Sequence, residues 1–233
     1  MGNGAVAKVL RTKAPQTAHS SSTPFFSVIL CTRNRAHLLL RALRSLLRQQ
    51  WQHWEALIID DGGTDVTPFL VALLAQEDPR FRFYRTAHRG PGAARHYGIL
   101  RARGEFITFL DSDDEYHPAH LSLRAEYLQQ HPQVDFLLGG VEVIGPPFVP
   151  DRNDPRRWIH ISECAVGGTF VVRRTLALEI GYPQLRFADD AAFYQKACAA
   201  GARIDRVNFP TYRYYRTTPD SLCTRHGMSF TAE

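Results

Sequence analysis

GEFITFLDSDDEYHP, Gly104 to Pro118, decides how the rest of the chain is read. Phe106 to Leu110 is a short apolar run between a glycine and a cluster of acids, the pattern of a strand buried on both faces of a parallel sheet. Asp111, Asp113, Asp114 and Glu115 follow, with only Ser112 between them. Crowded like charges repel, so this spacing calls for something that offsets them. A hard divalent cation, Mg2+ or Mn2+, held by one or two carboxylates and the phosphates of a substrate, would do so. A solvated acidic turn that caps a helix starting near Pro118 is the plainer alternative. In open α/β sheets ligands sit just beyond the carboxyl ends of the strands, where these acids fall.

Upstream of this stretch, the same alternation repeats. FFSVILC, Phe25 to Cys31, reads as a strand buried on both faces, with a polar loop of Thr32, Arg33, Asn34 and Arg35 at its carboxyl end. Leu38, Leu39, Ala42, Leu46 and Leu47 recur at helical spacing and predict a helix over 35–50. Trp54 to Ile59 is the second strand, running into Asp60-Asp61-Gly62-Gly63. Asp65 or Thr64 is placed to cap a helix over 66–76. Phe81 to Arg85 is a third strand, and Pro91 fits the first turn of a helix reaching Ala102. A βαβ series of this kind gives a parallel sheet with right-handed crossovers.

Downstream, the pattern loosens. A helix is expected over 118–130 and a strand over 134–143. Residues 145–157, with Pro146, Pro147, Pro150 and Pro155, are expected to form a flexible loop over the site. Short strands are predicted at 158–162 and 169–172, flanking Gly167-Gly168, and helices at 174–180 and 189–200. Residues 203–205 and 212–215 read as edge strands. Residues 1–24, rich in Ala, Ser, Thr, Gly and basic residues, read as a disordered leader. The remaining 25–233 reads as one domain.

Composition narrows the function. The chain has 233 residues and a net charge of +5, with 28 Lys and Arg against 23 Asp and Glu. The arginines are scattered rather than gathered in a stripe, which suits an anionic ligand or lipid surface and argues against nucleic acid. Cys31, Cys164, Cys198 and Cys223 lack CxxC spacing, which argues against zinc and for reduced thiols. No apolar run approaches the ~18 residues of a membrane span, and no signal sequence opens the chain. These features predict a cytoplasmic protein, with peripheral contact at the inner face of the membrane left open.

Three carboxylate pairs then stand out: Asp60-Asp61, Asp111 with Asp113, and Asp189-Asp190. The first two end strands of one parallel sheet and project from the same edge. Asp-Asp-Gly-Gly is also a good turn on its own.

Four stretches carry a resemblance: FSVILCTRNR, LIIDDGGTD, RGPGAARHYGILRARGEFITFLDSDD and ADDAAFYQKACAAG. In this order and spacing they resemble the signature of GT-A glycosyltransferases of family 2, across about 25–226. The resemblance implies an α/β, Rossmann-like, mostly parallel central sheet with helices on both faces and a small acceptor-side subregion. Residues 25–117 would form the nucleotide-sugar half and 118–233 the acceptor half. It implies a metal-dependent inverting transfer of sugar from a nucleotide sugar, UDP-linked by preference, to a hydroxyl on a glycan, a lipid-linked saccharide or a small molecule.

Site residues carry over position by position. Thr32 and Arg33 would meet the nucleotide, and Asp61, with Asp60 beside it, would accept from the N–H groups of the base. Arg95 would lie near the diphosphate. Asp111, Ser112 and Asp113 would form the DxD motif, with Asp111 and Asp113 on Mn2+ or Mg2+ and His226 as a candidate third ligand. Asp190 would be the general base, although acids also favour a helix N-terminus through its dipole. Three positions depart from the family: Ala192 replaces a frequent acid, Asp189 a glutamate, and His96 an asparagine. Two other readings stay open. One is a catalytically inactive nucleotide-sugar-binding domain that serves a partner. The other is a sugar-nucleotide nucleotidyltransferase, disfavoured because CTRNRAH lacks a glycine-rich phosphate loop.

Overall fold

The structure, a computed structural model, describes residues 23–218 except 155, 186 and 187. The expected leader therefore lies, but for its last two residues, outside the described residues, as do Cys223 and His226.

Four parallel strands form the frame. β1 (Phe26–Thr32) pairs with β2 (Trp54–Asp61) on one side and β4 (Phe106–Phe109) on the other, and β3 (Phe81–Thr86) pairs with β2. Helices α1 (Ala36–Leu47), α2 (Thr67–Glu77) and α3 (Pro91–Arg101) connect them. β1 and β2 are buried along nearly their whole length, as their uninterrupted apolar runs require. Successive side chains point to opposite faces. Thus Phe26, Val28 and Leu30 pack with Leu39, Leu43 and Leu46 of α1 and Val71 of α2 on one face. Ile29, Leu57 and Ile59 pack with Ala94 and Ile99 of α3 on the other. Both faces are covered by helices, as the sequence implied.

The sheet continues beyond β4 in a different sense. β10 (Val171–Arg173) runs antiparallel to β4 and to β6 (Phe136–Leu138), and the edge strand β11 (Ile204–Arg206) runs parallel to β6. α4 (His120–Gln130) packs on the α1 face through Leu121, Ala125 and Leu128. α5 (Arg174–Ile180) and α6 (Asp189–Ala199) pack on the α3 face through Ala177, Phe193 and Ala197.

Several expectations for the second half are corrected. The single strand over 134–143 is two, β6 and β7 (Val141–Ile144), broken at Gly139 and Gly140 with φ of +107° and +82°. A Cβ on Gly140 would lie 1.9 Å from the Phe209 carbonyl oxygen, so only glycine lets the chain leave one sheet for another there. Tyr212–Tyr215, β12, is no edge strand: it is the middle of a small sheet, between β5 (Glu115–Tyr116) and β7. The proline-rich 145–157 stretch is not all loop, because β8 (Phe148–Pro150) pairs antiparallel with β9 (Trp158–His160). No helix among the described residues is long and apolar enough to cross a membrane.

Candidate functional site

The parallel register sets the site. Thr32 sits beside Asp60, and β1 runs three residues past the point where Ile29 pairs with Phe109. The ends of β1, β2 and β4 therefore open on one edge, and α6 brings Asp189 and Asp190 to the same place. Together with residues between Val149 and Gly168 they line a cleft of about 1080 Å³. Thr32, Arg33, Asp61, Arg95, Asp111, Ser112, Asp113 and Asp190 all line it.

Asp60 does not. Side chains alternate along a strand, so two adjacent acids at its end cannot face the same way. Asp60 is fully buried; its Oδ1 accepts the Gly63 N–H at 2.8 Å, and its Oδ2 lies 3.7 Å from Arg85 Nε. It shapes the turn after β2 and has no surface to offer a nucleotide. Asp61 faces the cleft, but its carboxylate already accepts the Arg89 N–H and the Gly90 N–H, both at 2.9 Å, and lies 2.7 Å from His88 Nδ1. It anchors the loop leading into α3. Asp65 joins two helices by accepting from Ala36 N–H at 2.8 Å and Thr67 N–H at 3.0 Å. Asn34, in the left-handed region at φ +54°, accepts from Thr64 N–H at 2.6 Å and ties the β1 loop to the β2 turn.

The acids after β4 divide into two pairs. Asp114 and Glu115 are structural. Asp114 accepts from the Tyr212 hydroxyl at 2.5 Å and the Tyr215 N–H at 2.8 Å. Burial, then the charges of Asp113 and Asp111, push its carboxyl well above the usual range. Glu115 accepts from Arg213 and the Tyr215 hydroxyl, each at 3.0 Å. Asp111 and Asp113 instead face the cleft, the first with 37% of its side chain exposed. Asp113 pairs with Arg35 Nη1 at 3.1 Å, and its backbone carbonyl accepts from Arg41. The repulsion that seemed to demand a metal ion is thus already met by arginines and two tyrosines. The crowding of acids is not itself evidence for a cation.

Arg95 is the centre of the site. It reaches from α3 to donate to Asp111 Oδ1 at 2.7 Å and to Asp189 Oδ2 at 2.6 Å. Those two carboxylates belong to opposite halves of the cleft, and both raise the guanidinium pKa further against the burial that lowers it. The family resemblance would put Arg95 near the diphosphate; the structure adds that it joins the strand end to the start of α6.

Asp190 accepts from the Gly167 N–H at 3.2 Å and the Ala191 N–H at 2.7 Å. Burial, then the neighbouring Asp189 charge, raise its carboxyl to about 6. Gly167 and Gly168 make this possible. A Cβ on Gly167 would meet Asp190 Cβ at 2.9 Å, and one on Gly168 would meet the Tyr212 ring at 2.0 Å. Cys31 also lines the cleft, but burial pushes its thiol up to about 12, so it stays protonated and is a poor nucleophile.

Asp111 and Asp113 fit a divalent cation by donor chemistry. They are hard oxygen donors that both line the cleft, and two carboxylates suffice when a substrate diphosphate supplies further oxygens. Among the described residues no group of three or more His, Cys, Asp or Glu is arranged to hold a metal by itself.

The model of glycosyl transferase family 2 matches residues 27–181. The chain belongs to that family. It is 37% identical over 101 residues to the GalNAc(5)-diNAcBac-PP-undecaprenol beta-1,3-glucosyltransferase of Campylobacter jejuni, covering 42% of this chain and 33% of that protein. It is 40% identical over 99 residues to the succinoglycan biosynthesis protein ExoO of Rhizobium meliloti, covering 42% and 28%. The matches thus span about a third of these relatives. Among solved structures, TarS residues 1–349 of S. aureus in complex with UDP-GlcNAc superposes with a TM-score of 0.70 at 25% identity, covering 86% of this chain and 60% of that one. The mannosyltransferase PcManGT of Pyrobaculum calidifontis superposes at 0.67 with 21% identity over 94% of this chain and 64% of that one, a likeness of fold alone. The family 2 member thus has the mixed α/β fold of its GT-A neighbours.

Proposed function

We propose that this chain is the catalytic unit of an inverting glycosyltransferase that moves a sugar from a nucleotide sugar, UDP-linked by preference, to a hydroxyl acceptor. The observation that carries the reading is the meeting of Asp111, Asp113 and Arg95 with Asp190 in one cleft, formed by three parallel strand ends and the start of α6. Support for a uridine donor comes from the TarS likeness, since that protein was solved with UDP-GlcNAc.

The donor side is the edge of β1, β2 and β4. The Thr32 hydroxyl is buried beside the cleft with no hydrogen-bond partner among the described residues, and Arg33 is exposed next to it. Arg33 would meet the nucleotide through its exposed side chain, and Thr32 would flank it at the strand end. Asp61 acts by fixing the His88–Gly90 backbone rather than by offering a vacant oxygen to the base. Asp111 and Asp113 would hold Mn2+ or Mg2+. When bound, the ion neutralises the negative charge that grows on the departing diphosphate.

On the acceptor side, Asp190 takes the proton of the acceptor hydroxyl. That oxygen forms the new bond to the sugar C1 from the face opposite the nucleotide, while the bond from C1 to the diphosphate oxygen breaks. Its pKa of about 6 leaves it largely ionised at neutral pH yet still basic enough to accept a proton. Arg95 holds Asp189 and so fixes the first turn of α6, from which Asp190 projects.

The test is a donor panel: UDP-, GDP- and ADP-sugars are incubated with the chain and Mn2+, and nucleoside diphosphate release is followed. Release from UDP-sugars above the others supports the reading. Release from none, with UDP bound all the same, would favour the non-catalytic binding domain.

A further inference from the structure

Arg152 and Arg206 approach the cleft from separate parts of the chain and meet the same helix. Arg152 lies just after β8 and donates through Nη2 to Gln195 Oε1 at 3.2 Å. Arg206 ends β11, and its guanidinium carbon lies 5.8 Å from the centre of the Tyr194 ring. Tyr194 is one helical turn beyond Asp190 on α6, and all of these residues line the cleft. Both arginines are exposed, and no described carboxylate pairs with either. Of the acids that line this part of the cleft, Asp190 accepts the Gly167 and Ala191 N–H groups. Asp189 is held by Arg95, and Glu163 accepts the His160 N–H at 3.3 Å.

We infer that Arg152 and Arg206 form a subsite for a phosphate group of the acceptor. The acceptor is then a hydroxyl compound bearing a phosphate or diphosphate ester, not a neutral saccharide. The guanidinium fork matches phosphate oxygens in pairs, and charge-assisted bonds of this kind are the stronger class. A neutral acceptor would use neither guanidinium as a charge partner, whereas a phosphate would engage both. The inference rests on the glycosyltransferase reading and adds the acceptor class to it. Lipid-linked diphosphates and polyol phosphate chains share this chemistry, and the test separates them.

Calorimetry with UDP and Mn2+ held at saturation fills the donor side. Farnesyl diphosphate, a glycerol phosphate oligomer and lactose are then titrated into the wild type, the R152Q/R206Q variant and the R152K/R206K variant. The expected result is that the wild type binds a phosphate probe, the Gln variant binds it about tenfold more weakly, and the Lys variant recovers part of the loss. UDP affinity stays unchanged throughout. Preference for farnesyl diphosphate assigns a lipid-linked acceptor, and preference for the oligomer a polymeric one. Equal binding by wild type and Gln variant overturns the inference. So does a wild type that binds UDP but neither phosphate probe. Failure to bind UDP would count against the donor reading instead, and the same probes titrated without UDP would still test the arginine pair.

Discussion

The two halves of the cleft are built by different means. On the donor side, charged residues stand at the ends of β1, β2 and β4, and strand register alone brings Thr32, Asp61 and Asp111 to one edge. On the acceptor side nothing is in register. Asp190, Gly167, Arg152 and Arg206 come from a helix, a turn, a hairpin and an edge strand, and they meet through tertiary contacts. Arg95 is the side chain that joins the two sides, with one carboxylate from each. Local patterning can place a site on a parallel sheet, but the part proposed to select an acceptor depends on long-range packing.

The largest effect should fall on the acceptor side alone. Asp190→Asn is expected to lower transfer by about 10²- to 10⁴-fold, the usual worth of a general base, with UDP affinity unchanged. Equal loss of both would mean that the halves are not separable. The pH dependence adds a sign. The folded carboxyl at about 6 is raised above its ordinary value, so Asp190 favours folding at low pH and costs stability as pH rises through 6. Transfer should therefore rise with pH to a plateau above about 6. Asp190→Asn should melt higher than wild type at pH 8 by the equivalent of ~1 to 3 kcal/mol, and the gain should shrink towards pH 4.

Arg95→Met breaks the link between the halves. It leaves the Asp189 carboxylate buried without its cation, a change that costs about 3 kcal/mol in comparable sites. Denaturant titration reads that loss. Restored stability in the double variant Arg95→Met with Asp189→Asn would show that the pair, not the arginine's packing, was at stake.

Gly168→Ala should cost about 1 to 3 kcal/mol by driving a methyl group into the Tyr212 ring, which in turn holds Asp114. Urea unfolding checks it, and an unchanged midpoint would mean that the turn shifts freely. The smallest effect belongs to Cys31→Ser. With a thiol that stays protonated, transfer should remain within about threefold, and iodoacetamide should leave the protein active. Inactivation at Cys31 would give the donor side a nucleophile absent from this account.

Much of the donor half was legible in the sequence because β periodicity and strand ends are local. Even there, only the family resemblance favoured Asp61 over Asp60: which of two adjacent acids faces the cleft depends on the parity of a strand whose end a glycine turn obscures. The four acids after β4 misled in a similar way. Asp114 and Glu115 answer to Tyr212, Tyr215 and Arg213, about a hundred residues away, and no local pattern reveals such partners. The acceptor half was read least well. Gly139-Gly140 divides what looked like one strand, and Tyr212–Tyr215 is central rather than peripheral. Arg152 and Arg206 look like any exposed arginines until their shared helix is known.

Donor binding as proposed depends most on Asp111 and Asp113 joining a divalent ion to a diphosphate. Titration of UDP by calorimetry, with Mn2+ and then with EDTA, tests this directly in the wild type and in Asp111→Asn/Asp113→Asn. Binding at least tenfold tighter with Mn2+, and a double variant indifferent to the metal, is the predicted result. UDP affinity that ignores both EDTA and the two substitutions would contradict it.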